Sequence, residues 1–203
     1  MNWVERMKNF LETERLILRY FNETDVHHLL ALDSDPAVMR YINGGIPSNF
    51  SDIEAGLGNI LNYYENYENL GFWATHEKVT GELIGWFHFY PAITSPFGVA
   101  ANLVREGEIT LGYRLRQSSW GKGYGTEGGR SLRDQGFNQW GVERIIAWAL
   151  QANQASIRVM EKIGLQFECD YHLKPEQLTA LKQPEERLIL KYGCDNIQFL
   201  SRP

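Results

Sequence analysis

Between Trp120 and Thr126 the chain reads Trp-Gly-Lys-Gly-Tyr-Gly-Thr, three glycines at alternate positions. Glycine lets a backbone come close to a ligand and turn its N–H groups toward it. A strand is expected before this stretch and a helix after it, so those donors would add to the positive end of the helix dipole. The chemistry is anion binding, a cradle for phosphate. The plain alternative is a flexible turn with Lys122 as a solvated side chain; the flanking elements favour the cradle. The P-loop pattern fails, because Lys122 precedes the paired glycines and no Lys-Ser/Thr follows. The dinucleotide pattern G-x-G-x-x-G is met by Gly123, Gly125 and Gly128. However, Gln117 to Lys122 intervene after the strand, and the next strand ends Ala149-Leu-Gln151 with no carboxylate for a ribose. A nicotinamide enzyme is therefore the second choice.

The elements that must position this turn follow from periodicity. Glu108 to Leu115 reads as the strand before it, and the helix after it runs to about Asn138. Arg144 to Ala149 is a strand, Asn153 caps a helix ending at Gly164, and Leu165–His172 and Arg187–Tyr192 are strands. Upstream, Glu14–Tyr20 is a strand and Asn22 to Asp25 offer cap oxygens to a helix carrying Val26, Leu29, Leu30 and Leu32. Asp35-Pro36 starts a short helix that Asn43-Gly44-Gly45 ends, and Ser51-Asp-Ile-Glu reads as a capping box for the next. Phe72–His76 and Leu83–Tyr90 flank a turn at Lys78–Gly81, an antiparallel hairpin. Residues 91–106, with Pro91, Pro96 and Gly98, read as a mobile loop, and 195–203 as a loosely held tail. Strands come in a run first and alternate with helices later. That order predicts a mixed α/β (α+β) sheet, antiparallel early and parallel where a helix crosses over.

Composition bounds the rest. At 203 residues the expectation is one domain over 1–203, and 43% hydrophobic with 22% charged residues is ordinary globular composition. Lysine plus arginine number 20 against 25 aspartates plus glutamates, a formal net of −5, which argues against nucleic acid as partner. No apolar run is long enough for a bilayer and the start has no apolar signal region, so the expectation is a cytoplasmic protein without a membrane partner. Cys169 and Cys194 form no C-x-x-C pair and read as reduced structural thiols, and none of the five histidines has trusted metal-ligand spacing.

Three stretches together carry a resemblance. Glu108-Ile-Thr-Leu-Gly-Tyr113, Trp120-Gly-Lys-Gly-Tyr-Gly-Thr-Glu127 and Asn153-Gln-Ala-Ser-Ile-Arg-Val-Met-Glu-Lys-Ile-Gly-Leu165 resemble, in the right order, the core motifs of the GNAT superfamily of acyl-CoA-dependent N-acetyltransferases. Thr13–Arg19 with Asp35–Tyr41 is similar to its RimJ/RimL branch, whose named members acetylate protein N-termini. The likeness covers about 13–167 and resumes at the last strand, giving a motif-supported core of about 13–192. It implies a splayed parallel pair of strands at the cofactor cleft and acetyl-CoA as cofactor, with CoA as product. It also implies an amine acceptor: a peptide or protein N-terminus, or a small amine such as a polyamine or aminoglycoside. The protein would be a monomer or homodimer. Cofactor contacts would come from the backbone of Tyr113, Arg114 and Leu115, and from Trp120, Gly121, Lys122, Gly123, Tyr124, Gly125 and Thr126. The superfamily often has Arg or Gln where this chain has Trp120, a substitution that fits the branch.

Amine acetylation needs a neutral nitrogen, a polarised carbonyl and a proton for the leaving thiolate. Glu108 is the candidate base, directly or through water, near the place of a catalytic glutamate in other branches. The equal alternative is a rim carboxylate paired with Arg105 or Arg114. Backbone N–H groups near Tyr113 and Arg114 would stabilise the oxyanion. Many members have a tyrosine donor where this chain has Met160, which leaves Ser156, one turn after Asn153, as proton donor or thiol partner, or as an inert first-turn residue. Asn153 would touch pantetheine, cap its helix, or both. Trp73, Trp86, Trp140 and Trp148 read as core; Tyr41, Tyr63, Tyr64, Tyr67 and Tyr90 are unranked candidates for an acceptor cleft, and His88 for a substrate contact. A non-catalytic acyl-CoA-binding protein is the reading from another class.

Overall fold

In the computed structural model, residues 9–174 and 187–197 are described. The strands are β1 (Asn9–Glu12), β2 (Leu16–Tyr20), β3 (Gly71–Glu77), β4 (Leu83–Pro91), β5 (Glu108–Leu115), β6 (Arg144–Leu150), β7 (Gln166–His172) and β8 (Leu188–Asp195). The helices are α1 (Val26–Asp33), α2 (Pro36–Asn43), α3 (Phe50–Asn66), α4 (Pro96–Ala100), α5 (Tyr124–Asn138) and α6 (Gln154–Lys162). The strands form one mixed sheet in the order β1-β2-β3-β4-β5-β6-β8-β7. The β1/β2, β2/β3, β6/β8 and β7/β8 pairs are antiparallel and β5/β6 is parallel, as expected from the order of elements. Among the described residues no helix is long and apolar enough to cross a membrane. The chain divides into two compact units: one runs to His88 and includes Tyr113–Gly128, the other holds Phe89–Gly112 and the chain from Gly129 on.

In the first unit β2 alternates, with Leu16 and Leu18 fully buried. Trp73 and Phe87 are fully buried as well. Phe10 stacks on Trp73 with ring centroids 4.2 Å apart, so β1, a strand that periodicity did not announce, covers part of this core. The core between strands and helices joins Phe21, Leu29, Ile53, Leu57, Tyr64 and Ala74. Caps set the helix starts. The Asn22 side chain accepts from Thr24 N, and the Asp25 carboxylate accepts from Asn22 N at 2.9 Å. Asp35 accepts from Ala37 N at 2.8 Å with Pro36 next, a pattern worth about 1 kcal/mol. The start of α3 corrects the expectation at Ser51. Asn49 is the cap: its oxygen accepts from Asp52 N at 2.9 Å while its Nδ2 donates to Asp52 Oδ2 at 2.7 Å. The Asn49 amide thus meets both the main chain and the side chain of Asp52, and the helix starts at Phe50.

The second unit corrects two further expectations. Residues 91–106 contain a 3₁₀ turn at Ala92–Thr94 and then α4, with Ser95 accepting from Gly98 N at 3.1 Å and Pro96 in the first turn. Ala92, Ala101 and Leu103 are buried, so the segment is packed structure rather than open loop. At the other end β8 continues to Asp195, beyond the expected Tyr192. Asn196 is buried and its Nδ2 donates to Phe137 O at 3.0 Å and Val142 O at 3.2 Å. The expected loose tail is therefore anchored through Asn196. Residues 198–203, like the polar stretch around Pro175 and Pro184, lie outside the described residues.

Candidate active site

The glycine turn is built inside the first unit by a brace that begins more than a hundred residues upstream. Gly121 and Gly123 adopt φ of 74° and 84°, a left-handed region where a side chain costs about 1–2 kcal/mol. Glu127, the fourth residue of α5, accepts from Thr13 Oγ1 at 2.5 Å, from Arg15 N at 2.8 Å and from Arg15 Nε at 2.6 Å. Arg15 Nη1 then donates to Lys122 O at 2.9 Å, and its guanidinium lies 4.7 Å from the centre of the Tyr124 ring. Because the peptide is planar and trans, fixing the Lys122 carbonyl toward Arg15 turns the Gly123 N–H the opposite way. The N–H groups of Tyr124, Gly125 and Thr126 occupy the first turn of α5, where a helix offers them no acceptor. Burial works against a charged Glu127, but the hydrogen bonds from Thr13 and Arg15 outweigh it and hold its carboxyl below the ordinary value.

The strand entering the turn is fixed by the same unit. Trp120 Nε1 donates to Leu115 O at 2.7 Å, closing the Gln117–Ser119 turn while the indole stays 47% exposed. Of the three residues expected to offer backbone to a cofactor, Leu115 therefore already uses its carbonyl internally. The Tyr113 ring lies against Gly125, and a Cβ on Gly128 would strike the Phe87 ring. The dinucleotide-like spacing thus has a different cause here: Gly123 supplies a turn, while Gly125 and Gly128 leave room for two aromatic rings. The Arg114 side chain forms an ion pair with Asp33 and lies 5.0 Å over Trp86. The Tyr124 hydroxyl donates to Glu77.

The second unit holds the other candidates. The parallel β5/β6 pairing covers Glu108↔Arg144, Ile109↔Ile145 and Thr110↔Ile146; β6 then continues to Leu150 along β8. Glu108 is buried and accepts from Lys191 Nζ at 3.0 Å, Arg144 Nε at 3.1 Å and Arg105 N at 2.8 Å. Of the two partners expected for an ion pair, Arg105 contributes only its main-chain N–H and Arg114 is engaged by Asp33. Lys191 and Arg144 take their place. Arg144 also pairs with Glu168 and, at 2.6 Å, with Asp195. Burial opposes its charge, and the surrounding carboxylates outweigh burial and raise its pKa. Cys194 nearby is held protonated, burial pushing its thiol up to about 11.

On α6 the Asn153 side chain accepts from Ser156 N at 3.2 Å, so the cap is formed. Ser156 is half-buried, and its hydroxyl has no hydrogen bond among the described residues. Met160 is buried. Sequence reasoning missed Arg15 and Lys191, the cations that organise the two regions. Arg15 sits in a recognised strand and Lys191 in another, and neither carries a local signal that names its partner.

The turn fits a nucleotide diphosphate by its own features: a glycine-formed bend, first-turn amides without helical acceptors, and open space beside Gly121, where a Cβ would have no neighbour within 4 Å. Comparison with known proteins points the same way. Residues 15–166 match a family model described as acetyltransferase (GNAT) domain. The uncharacterized N-acetyltransferase YoaA of Bacillus subtilis (strain 168) is 33% identical over 160 residues, 78% of this chain and 83% of that protein. Among solved structures, the ribosomal alpha-N-protein acetyltransferase RimL in complex with coenzyme A has a TM-score of 0.70 at 17% identity, covering 93% of this chain and 98% of that one. The aminoglycoside acetyltransferase AAC(6')-Ib with coenzyme A has a TM-score of 0.68 at 21% identity, covering 91% and 97%. At those identities the two structures share the fold.

Proposed function

The chain belongs to the GNAT acetyltransferase family and is an acetyl-CoA-dependent acetyltransferase; from that premise we propose that its acceptor is a protein N-terminal α-amine, as in the RimJ/RimL branch. Acetyl-CoA brings the thioester, which is the acetyl donor. The chain's own residues do the rest. Amides of Gly123, Tyr124, Gly125 and Thr126 hold the diphosphate, with Arg15 and Glu127 fixing their direction and Lys122 supplying charge. Trp120 and Gly121 shape the entry, and main-chain groups of Tyr113, Arg114 and Leu115 receive the pantetheine arm. Asn153 orders the first turn of α6, and the Ser156 hydroxyl gives a proton to the leaving sulfur as it takes one from the acetylated nitrogen, so the amide and the free CoA thiol form together.

The acceptor is chosen by the state of Glu108. Two cations and a main-chain N–H already occupy this buried carboxylate, which supports reading it as the clamp of the parallel pair rather than as the base. An α-amine with pKa near 8 needs about 1.4 kcal/mol to be neutral at pH 7, against about 4.6 kcal/mol for a lysine. Chemistry without a strong base therefore favours the α-amine. The test is release of free thiol from acetyl-CoA with four acceptors: a lysine-free peptide, the same peptide Nα-blocked with one lysine added, a polyamine and an aminoglycoside. The free α-amine peptide should lead, the blocked one running about a hundredfold slower. Faster turnover on the polyamine or aminoglycoside would overturn the choice of acceptor, and binding without turnover on any of them would point to the non-catalytic reading.

A further inference from the structure

Lys122 is the one cation between Trp120 and Thr126, and its side chain is exposed with no ion pair among the described residues. A long side chain that only the ligand orders loses affinity to that ordering. What stands beside it is the ring of Tyr124. The ring centre lies 5.9 Å from Lys122 Nζ and 4.7 Å from the Arg15 guanidinium, within the range where a cation is drawn to an aromatic face. Tyr124 is buried and its hydroxyl donates to Glu77. Glu77 ends β3, is 9% exposed, and has no ion pair among the described residues. Two hydroxyls meet its carboxylate instead, that of Tyr124 and, at 2.8 Å, that of Thr80. They hold the carboxyl below its ordinary value against the effect of burial, and the charges of Lys122 and Arg116 add to this from further away. The main chain fixes where this charge sits. Glu77 N donates to Glu82 O at 3.0 Å, Gly81 N to Glu77 O at 2.8 Å, and Lys78 N to Arg15 O at 2.8 Å.

A buried carboxylate with no cation in contact is costly, and a neutral acceptor would serve a purely structural bond to a phenol equally well. The charge has a use where the cation it attracts is wanted. A phenol that donates to a carboxylate carries more electron density on its ring, because linked hydrogen-bonding groups polarise one another. The same negative charge also attracts Lys122 directly. We infer that Glu77 is a positioning residue for the cofactor: through the Tyr124 ring it holds the Lys122 ammonium at the glycine turn before the diphosphate arrives. This rests on the reading of that turn as the diphosphate cradle and names the charge behind it. Two carboxylates then anchor the cradle by separate routes. Glu127 acts through Arg15 on the direction of the amides, and Glu77 acts through Tyr124 on the ammonium.

The test is a double-mutant cycle read as calorimetric affinity for CoA. Lys122→Ala should weaken CoA about tenfold, the scale of a lost hydrogen bond to a charged group. Glu77→Gln keeps the shape and an acceptor for the Tyr124 hydroxyl. It should weaken CoA about fourfold, the scale of a cation–π contact, and should have no further effect in the Lys122→Ala background. Tyr124→Phe, which keeps the ring and removes the link, carries the same pair of predictions should Glu77→Gln fail to fold. In turnover, KM for acetyl-CoA should rise by the same factors while kcat is unchanged. An equal loss from Glu77→Gln in both backgrounds makes the bond merely structural and overturns the inference with the cradle intact. Full affinity in Glu77→Gln beside a loss in Lys122→Ala does the same. Full affinity in Lys122→Ala removes Lys122 from the cradle and the inference with it, and that single variant tells this failure from the other two.

Discussion

Glu127 and Glu108 are wired alike and do different work. Each carboxylate accepts from one main-chain N–H and from a cation, and each is joined to residues distant in sequence: Thr13 and Arg15 for Glu127, Arg144 and Lys191 for Glu108. Their surroundings differ. The Arg15 side chain is 41% exposed, whereas Lys191 is 6% and Glu108 2%. An exposed pair is screened and contributes little to stability, but it can still set the direction of a peptide group. A buried pair contributes little over an apolar replacement, yet breaking it leaves a charge without solvent or partner. The brace near the surface fixes the glycine turn; the buried clamp ties Glu108 of β5 to Arg144 of β6 and Lys191 of β8.

The largest effect that would separate them is on folding. Lys191→Met should cost about 3 kcal/mol, since Glu108 stays buried with only Arg144 and one N–H, and urea unfolding reads this directly. A loss under 1 kcal/mol would break the contrast, placing the clamp with the surface pairs. Next comes Gly123→Ala, where a Cβ at φ 84° costs about 1–2 kcal/mol and shifts the cradle. Calorimetric affinity for CoA should fall tenfold or more; an unchanged affinity would detach the turn from the cofactor. Ser156→Ala should lower kcat about 10–100-fold at unchanged KM for acetyl-CoA. Full turnover in that variant would leave Ser156 outside the chemistry.

The same contrast marks what could be read from the sequence. Elements with local signatures were legible: β5 at Glu108–Leu115, the helix ending at Asn138, the Asn153 cap, and the Asp35-Pro36 start. The glycine turn belonged to this class, because a bend followed by a helix start is written in neighbouring residues. Ser95-Pro96 carries the same signature as Asp35-Pro36, and the surrounding Pro91 and Gly98 masked it; Gly98 is there because a Cβ would meet Val104 Cγ1 at 2.6 Å. What was not legible lies in pairs far apart in the chain. Glu108 read equally as a base or as a paired carboxylate, and its partner Lys191, 83 residues away, carries no local sign of the pairing. Asp33 gives no local sign of Arg114, which is 81 residues away. Charge tells that a partner is needed, and only the fold tells which.

The finest test of the contrast uses pH. Glu127 has a folded pKa below its ordinary value of 4.5, so the unfolded chain binds its proton first as pH falls. Its contribution is fully present above about pH 4.5 and is lost as pH drops through the lower folded value. Glu127→Gln should therefore flatten the acid limb of the stability curve below pH 4.5 while changing stability at pH 7 by no more than about 1 kcal/mol. His88 works in a neighbouring window with the same sign. Burial, then the Arg114 charge, push its pKa down to about 3 from 6.5, so the unfolded chain takes up a proton between those values and stability declines as pH falls. His88→Gln should remove the decline between pH 6.5 and 4.5 and lessen it between 4.5 and about 3, where Glu127 also contributes. If Glu127→Gln instead left the acid limb intact but still weakened CoA binding, the brace would act on the ligand alone, and its hydrogen bonds would be made largely when the cofactor is present.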